Sequence, residues 1–504
     1  MRTAFGIDFG TTNTRIAFYD GRRPIVVPVR DRRGTAYQIP SVVGYRDGKA
    51  VAFGRDALAD TSLTLCTSIK WLAAKDAPVE IDGHEIAPEE VMRDFFGYLK
   101  KVVRQTRLVR NELDNAAITM PVNYPYRARE ALLSAMREAG ITVDCVYQEP
   151  VAALYCDIHR RRLPGYAAVF DWGGGTLDVA VVRVEDGRAQ VRSLGGLERG
   201  GDHFDNLVLE NALSSFEREY PDLPLSMDDL LKHPQRGPKL KLEAEKAKIT
   251  LSTEPEADVS SPRLVGERHL YYPIRQRDFE SWIKPDIDRA LEVLRRAAKS
   301  AGVAPGVLNP LLLSGGTSNI PAVQARIKTE FPPEHVDGSL PSHGSTGTGA
   351  PELDVANATA IGAAMLSVWN ASPVFAREVG IRIAGSDRTM DRFLPVFGRG
   401  EPVDFHEKRT ERLFVTDAST GVARVLVCDR ADPVVDKEGE LRRILSVPID
   451  RSEHLVDVSF SMDKHLMLKV HASGRVACTE SRDCTCWIPN IPVGFEIPAE
   501  DQRD

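Results

Sequence analysis

The sequence contains no long hydrophobic run and no excess of positive charge. None of its 504 residues belongs to an apolar segment near the roughly 18 residues that a membrane-spanning helix needs. The first residues, Met1-Arg2-Thr3, lead into the strand-like Ala4-Phe5-Gly6-Ile7 without the apolar region of a signal peptide. The 65 Lys and Arg residues are outnumbered by 72 Asp and Glu residues, which excludes a general attraction for nucleic acid. We therefore expect a cytoplasmic protein with neither nucleic acid nor membrane as a partner.

Cysteine is also scarce. Seven cysteines, an odd number, are spread along the chain, which does not resemble a disulfide framework and favours a reducing compartment. Three of them, Cys478, Cys484 and Cys486, follow His471 near the end. A structural zinc site favours pairs separated by about two to four residues, so this spacing does not predict a metal site.

The organisation of the chain changes near residue 372. Before it, strand-like segments such as 116–120 alternate with amphipathic helical segments such as 88–103 and 127–139, which is typical of an α/β domain. After it, short alternating segments separated by Gly, Asp or Pro indicate an antiparallel β-sandwich. We predict an α/β domain over 1–371, a short linker over 372–378 and a sandwich over 379–504.

Two distant segments, 5–18 and 169–182, share one plan: a strand, an Asp, a turn rich in Gly and Thr, and a second strand. The repetition indicates two related halves that face one cleft. Backbone N–H groups of such turns can bind a polyphosphate from both sides, whereas two purely structural hairpins are the simpler alternative. The candidate phosphate-binding residues are Gly10, Thr11, Thr12 and Asn13 in the first turn and Gly173, Gly174, Gly175 and Thr176 in the second.

Six motifs occur in order along the chain: Asp8-Phe-Gly-Thr-Thr-Asn13, Gln148-Glu-Pro-Val-Ala-Ala153, Asp171-Trp-Gly-Gly-Gly-Thr-Leu-Asp178, Gly200-Gly-Asp-His-Phe-Asp205, Glu243-Ala-Glu-Lys-Ala-Lys-Ile-Thr-Leu-Ser252 and Leu313-Ser-Gly-Gly-Thr-Ser-Asn-Ile-Pro321. Together they resemble the nucleotide-binding domain of the DnaK-type heat-shock 70 kDa chaperones over about residues 3–370. The resemblance implies the actin-like ATPase fold, with two duplicated α/β lobes and four subdomains around a nucleotide cleft. It also implies binding of ATP or ADP with Mg²⁺, and K⁺ is a further candidate ion.

The resemblance also implies roles for individual residues. Asp8 and Asp171 would hold the metal ion, largely through its waters, which suits a hard cation that keeps its hydration. The implied catalytic residues are Lys70, Glu149, Asp171, Thr176 and Asp178. Further nucleotide contacts are implied for Gly200, Gly201, Asp202, Glu245, Lys248, Ser252, Gly315 and Gly316, and an interdomain relay for Pro121 and Arg129.

The C-terminal segment is similar to the peptide-binding β-sandwich of the same family, so extended peptides become candidate ligands. Met390, Phe414 and Val422 are the pocket candidates, although ordinary core positions explain them equally well. The acidic, leucine-rich linker of the family is absent, and we expect no helical lid because the sequence ends at Asp504. A pocket without a lid is expected to release peptide quickly.

We therefore predict an ATP-hydrolysing, chaperone-like protein that binds exposed peptide segments of clients. A J-domain co-chaperone and a nucleotide exchange factor are further partners that the resemblance implies. The alternative is a nucleotide-sensing module with weak ATPase activity that recruits one dedicated partner. A small-molecule kinase and a filament-forming actin relative are less favoured, because no base beside a polyol pocket is evident and a filament gives the sandwich no role.

Overall fold

The computed structural model is a mixed α/β arrangement followed by β-sheets, as the sequence predicts. Among the residues that it describes, no helix is long and apolar enough to cross a membrane. The described residues are 3–31, 34–75, 78–106, 109, 111–161, 164–185, 188–222, 229, 236–337, 355–369, 371–384, 391–415, 418–430, 440–449, 455–476, 480–488, 491 and 493–496.

Helices occur throughout the first 370 residues. The helix at Pro88 begins where the proline and the acidic residues Glu89 and Glu90 predict a start, and its stripe of Val91, Phe95 and Leu99 is fully buried. The described α-helices are α1 Gly54–Ala59, α2 Ile69–Lys75, α3 Pro88–Thr106, α4 Tyr126–Glu138, α5 Glu149–Arg161, α6 Gly201–Glu219, α7 Arg236–Thr250, α8 Gln276–Ser300, α9 Pro321–Glu330 and α10 Val355–Val368. Short 3₁₀ helices lie at Pro305–Val307, Gly316–Asn319 and Pro333–His335.

The first hairpin, Ala4–Phe9 with Asn13–Tyr19, is antiparallel as predicted. It belongs to a sheet in which Ala4–Phe9 also pairs in parallel with Asn115–Met120, and that strand with Thr142–Gln148. The edge strands on the other side are Pro24–Val26 and Ile39–Pro40. Nearby smaller sheets contain Val29–Asp31 with Gly34–Ala36, Lys49–Phe53 with Val43–Arg46 and Thr64–Cys66, and Val79–Ile81 with His84–Ile86.

The second hairpin, Gly165–Trp172 with Leu177–Glu185, repeats this plan. Its first strand pairs in parallel with Leu311–Ser314, and its second strand pairs with Arg188–Leu197. Val336–Asp337 completes the sheet, and Glu256–Val265 forms a separate hairpin with Arg268–Arg275. The duplication that the sequence predicts is thus confirmed at the level of the two hairpins.

Helices α5 and α10 pack closely where the two hairpin sheets approach each other. A Cβ at Gly362 on α10 would lie 1.8 Å from the carbonyl oxygen of Ala152 on α5. Only glycine permits this approach, because any side chain would occupy the space of the facing backbone. The crossing therefore fixes the first hairpin relative to the second.

The last part of the chain contains two four-stranded antiparallel sheets whose inward-facing residues share one hydrophobic cluster. One has the strand order Asp391–Phe397, Glu378–Ala384, Val422–Arg430 and Glu440–Pro448. The other has the order Arg409–Phe414, Leu455–Met462, Leu468–Val476 and Glu480–Ile488.

The segment 372–378, which the sequence predicts to be a short linker, contains one strand and begins another. Ser372–Phe375 pairs with the last described strand, Val493–Glu496. The ring of Phe375 stacks on Phe397 at 4.4 Å between centroids. The sequence could not reveal this pairing because the two partners are more than 100 residues apart.

Candidate functional site

Four acidic side chains converge where the two hairpins face each other. In the first hairpin Asp8 is the cross-strand neighbour of Arg15, and in the second Asp171 is the cross-strand neighbour of Asp178. Glu149 begins α5 directly after the strand Thr142–Gln148. The site therefore draws carboxylates from both sheets, as expected for a cleft between duplicated halves.

Lys70 on α2 reaches into this cluster. It is 2% exposed, and its Nζ donates a hydrogen bond of 2.5 Å to Oε1 of Glu149. The backbone of Lys70 is fixed as well, since its carbonyl accepts a 2.7 Å bond from the buried Tyr124 hydroxyl. A lysine is rarely buried without a partner, so the position is that of a constrained charge rather than a surface lysine.

Burial is the largest influence on the pKa values of the four carboxyl groups. It raises the pKa of Glu149 to about 8 although Lys70 opposes it, and Asp178, Asp8 and Asp171 add to the rise. Burial, followed by the charge of Asp8, raises the pKa of Asp171 to about 7.

The pKa values of the other two aspartates are also raised by burial, and nearby donors and cations oppose that rise. For Asp8 the opposing groups are Arg15, Lys70 and the Thr119 hydroxyl. For Asp178 they include the Val122 N–H, which donates a 2.7 Å hydrogen bond. Cations and hydrogen-bond donors are therefore what this cluster requires.

The donor set fits magnesium better than a metal held by a full protein cage. Among the described residues, no group of three or more His, Cys, Asp or Glu side chains is arranged to hold a metal ion. Asp8 and Asp171 nevertheless offer two buried carboxylates that face one site. Magnesium prefers hard oxygen ligands and keeps several of its waters, so it needs few ligands from the protein.

The two Gly- and Thr-rich turns lie against each other. A Cβ at Gly174 would come within 2.5 Å of the Thr12 hydroxyl, and one at Gly175 within 2.7 Å of the Thr11 hydroxyl. A side chain in the second turn would thus fill the space between the turns, which is where a phosphate is predicted to bind.

Some predicted phosphate ligands have a structural role within the turns. The N–H of Gly10 donates to the carbonyl of Asn13, and that of Gly173 to the carbonyl of Thr176, so both close their own turns. Gly201 and Asp202 at the start of α6 donate to the carbonyls of Gly173 and Gly174. Because a Cβ at Gly200 would lie 2.5 Å from the Gly174 carbonyl oxygen, the contact needs glycine there.

Gly315 follows the strand that pairs with Asp171 and has a φ of +80°. A Cβ there would lie 2.3 Å from the Trp172 carbonyl oxygen and 2.8 Å from a carboxylate oxygen of Asp171. A Cβ at Gly316 would meet nothing within 4 Å, so the backbone at that position is open to a ligand.

Helix α7 carries Glu245 and Lys248, two of the polar residues predicted to bind the nucleoside, whereas Ser252 lies in the turn after the helix ends at Thr250. Lys248 contacts Asp205 at 2.7 Å and donates to the Gly201 carbonyl at 3.2 Å. Glu245 lines a cavity together with Thr11, Thr12 and Asp202, which joins this helix to the first turn. The Ser252 hydroxyl instead donates at 3.4 Å to the Lys248 carbonyl.

Ile249 lies on the same helix, between Lys248 and Ser252, and is 53% exposed. Its side chain offers an exposed apolar surface one helical turn from Glu245, which lines the cavity.

Arg129 on α4 connects the site to the C-terminal sheets. It is 1% exposed, and burial lowers its pKa to about 10. Its guanidinium donates to the carbonyl of Tyr124 at 3.1 Å and to that of His465 at 3.0 Å. Pro121, which directly precedes the Val122 N–H bonded to Asp178, completes the segment predicted to act as a relay.

The pocket candidates in the C-terminal sheets are exposed. Phe414 is 80% exposed and Val422 38%, so they are not the core positions that the alternative interpretation required. Met390 lies outside the described residues. Cys484 and Cys486 are half-buried beside the hydrophobic cluster, and Cys478 also lies outside the described part.

Sequence reasoning missed several residues of the site. Arg15 lies 3.7 Å from Asp8, and Trp71 donates from its indole nitrogen to the Thr11 hydroxyl at 3.1 Å. Asp205 pairs with Lys248, and the Thr317 hydroxyl donates to the Gly173 carbonyl at 2.8 Å. Asp205 and Thr317 belong to the recognised motifs and could have been found there. Only the strand register reveals Arg15.

The comparison with protein families agrees with this geometry. The family model described as Hsp70 protein matches residues 57–346, which is more than half of the chain. The match includes Lys70, Glu149, the second hairpin and α7, although the first hairpin lies before it. It supports a chaperone- and ATPase-type function in general and implies the actin-like ATPase fold. The chain belongs to the Hsp70 family.

Proposed function

We propose that this protein binds ATP with Mg²⁺, hydrolyses it slowly, and binds exposed peptide segments of client proteins through its C-terminal sheets. The observation that carries the proposal is the burial of Lys70 against Glu149 among three aspartates from both hairpins. Such a cluster of opposed charges is costly unless a ligand uses it.

Binding of the phosphates would use the two turns, whose Thr11, Thr12, Gly174 and Gly175 face each other. Asp8 and Asp171 would hold the magnesium ion through its waters. When bound, that ion supplies positive charge next to the phosphate oxygens.

Hydrolysis would depend on Lys70 and Glu149. Lys70 has three donors and gives one to Glu149, so two remain for a phosphate oxygen and the attacking water. Burial raises the pKa of Glu149 to about 8, so the fraction of this carboxyl that is ionised at neutral pH would be the acceptor of the proton from that water. Thr176 and Asp178 lie beside the cluster and would orient the same water.

The nucleoside would bind along α7. Glu245 and Lys248 offer groups for the ribose hydroxyls, and the exposed Ile249 offers an apolar surface for the base. Ser252 would join them by leaving its bond to the helix backbone.

Single-turnover hydrolysis of ATP tests the catalytic assignment. Lys70→Ala and Asp171→Asn are expected to slow the chemical step by about 100-fold or more, because each removes a preorganised charge. Lys246→Ala is the matched control, since Lys246 is a largely exposed lysine on α7 that pairs with Glu243 on the helix surface. Parent-like hydrolysis by both site variants would show the assignment to be wrong.

Peptide binding is proposed for the surface around Phe414 and Val422. An exposed aromatic side chain at the end of a strand can contact an apolar side chain of an extended peptide. Phe414→Ala is expected to weaken binding of a labelled apolar peptide by about tenfold or more. An unchanged affinity would place the peptide elsewhere.

Nucleotide binding and peptide binding would be coupled through Arg129. Its guanidinium contacts the carbonyl of His465, and the charge of Asp178 acts on it across the Val122 segment. The contact links the C-terminal sheets, through Arg129 and Val122, to Asp178 of the proposed catalytic cluster. A J-domain co-chaperone and a nucleotide exchange factor are the partners that family membership suggests.

The second candidate is a nucleotide-sensing module that recruits one dedicated partner. It is favoured by the pairing of Ser372–Phe375 with Val493–Glu496, because that pairing holds the segment after the α/β part in a sheet and the acidic, leucine-rich linker of the family is absent. Labelled-peptide affinity in ATP and in ADP separates the two candidates. Broad apolar binding that weakens in ATP supports the chaperone, whereas absence of such binding supports the module.

A further inference from the structure

Arg15 is the feature of the cleft that neither the family motifs nor the proposed mechanism uses. It lies in the second strand of the first hairpin, directly across from Asp8. Cross-strand neighbours in an antiparallel pair present their side chains on the same face of the sheet. Arg15 therefore faces the same side as Asp8, toward the proposed metal and phosphates.

The two hairpins differ in charge at this position. The residue across from Asp171 in the second hairpin is Asp178, an acid, whereas the residue across from Asp8 is an arginine. Without Arg15, Lys70 would still act on Asp8, Asp178 and Glu149, and Arg129 on Asp178. The duplicated plan thus has one pair of opposite charges and one pair of like charges.

The side chain of Arg15 is constrained but accessible from the cleft. One terminal nitrogen lies 3.7 Å from the Asp8 carboxylate, and the other donates a 3.0 Å hydrogen bond to the Gln38 side chain. The side chains of Arg15 and Asp8 are 18% and 13% exposed. A distance of 3.7 Å is longer than a charge-assisted hydrogen bond, so the guanidinium keeps donors for another anion.

We propose that Arg15 is a built-in cation of the nucleotide site, which makes ATP binding less dependent on Mg²⁺ than the carboxylates alone would require. The inference rests on the proposed function and specifies how that site balances its charge. Guanidinium groups stay charged at every accessible pH and match phosphate oxygens well. A fixed positive charge that acts on Asp8 and Asp171 offsets their repulsion of a polyphosphate before any metal ion binds.

The magnitude follows from the charge. A unit charge several ångströms from a phosphate, at the effective dielectric of a partly buried site, changes affinity by roughly tenfold or more. The effect of Arg15 on affinity is greatest when no metal ion also neutralises the charge of the phosphates. Removing Arg15 should therefore weaken ATP binding mainly in the absence of Mg²⁺.

Isothermal titration of the full-length protein with ATP tests this at constant ionic strength, in Mg²⁺ or in EDTA. Arg15→Gln is expected to lose about tenfold or more in EDTA and less than about threefold in Mg²⁺. Arg15→Lys should restore most of the loss because it keeps the charge. Arg183→Gln is the control, since Arg183 is a half-exposed arginine near the far end of the second hairpin.

Equal losses for Arg15→Gln in Mg²⁺ and EDTA, no loss in either, or failure of Arg15→Lys to restore binding would overturn the inference. Each of these results leaves ATP binding by the parent intact, and with it the proposed function. A parent that binds ATP in none of the buffers would overturn both.

Discussion

Replacing Glu149 by Gln should stabilise the nucleotide-free protein, and the gain should grow as the pH rises from about 5.5 to about 7.5. The change removes an ionisable group and keeps the size and planarity of the side chain. It therefore separates two forces that act on Glu149: burial, which favours the neutral form, and Lys70, which favours the charged form.

The sign follows from the direction of the shift. Burial raises the pKa of Glu149 from 4.5 to about 8 in the folded protein. Between these values the folded chain keeps a proton that the unfolded chain has released. The stability from this proton is fully present below pH 4.5 and is lost as the pH rises to about 8.

The magnitude follows from the same window. A proton that the folded chain binds and the unfolded chain has released lowers stability by about 1.4 kcal/mol for each unit by which the pH rises. A rise of two units therefore lowers the stability of the parent by about 3 kcal/mol. Glutamine carries no such proton and loses this dependence. The advantage of Glu149→Gln over the parent should accordingly widen by about 3 kcal/mol across the range.

Urea unfolding followed by tryptophan fluorescence, at several pH values and without nucleotide, measures the difference. Glu185→Gln is the matched control, because the Glu185 side chain is 62% exposed and water solvates it in both states. Its difference from the parent should stay constant. If Glu149→Gln instead became progressively less stable than the parent at higher pH, Lys70 would be holding Glu149 ionised and the reasoning from burial would fail.

Two further predictions concern the framework of the site. Gly362→Ala should reduce stability by about 3 kcal/mol or more, measured by thermal unfolding, because its Cβ would lie 1.8 Å from the rigid Ala152 carbonyl oxygen. Gly302→Ala is the comparison, because a Cβ on that surface turn meets nothing within 4 Å. Only the positive φ would strain the alanine there, so the loss of stability should be smaller. Tyr155→Phe should cost about 1–3 kcal/mol, because it leaves the buried Phe495 carbonyl without the hydroxyl that donates to it at 2.5 Å. Faster hydrogen exchange confined to the strands 372–375 and 493–496 would support that contact as a connection between the two parts of the chain, whereas unchanged exchange and stability would contradict it.

Much of the nucleotide site could be predicted because its groups belong to local motifs. The hairpins close through short turns, so a strand, an Asp and a run of Gly and Thr in sequence are enough to indicate them. Helix α3 was predictable for a similar reason, since its apolar stripe and first-turn acids are read within 20 residues. Lys70 was identified only through the family resemblance, because one lysine carries no periodic signal.

The remaining features depend on partners that are far apart in the chain. The sequence could not show that Arg129 contacts the His465 carbonyl, or that Ser372–Phe375 pairs with Val493–Glu496. Nor could it decide whether Phe414 is buried, because an aromatic residue in an alternating strand fits both the core and the surface.

The sequence by itself determined the two hairpins, the alternation of strands and helices before residue 372, and the family to which the chain belongs. Tertiary structure alone decided the electrostatics of the cleft. Burial raises the pKa values of the four carboxylates, and strand register puts Arg15 across from Asp8 but Asp178 across from Asp171. The physical reason is that a charge acts through space and through the solvent around it, and neither its neighbours nor its burial can be read from its position in the chain.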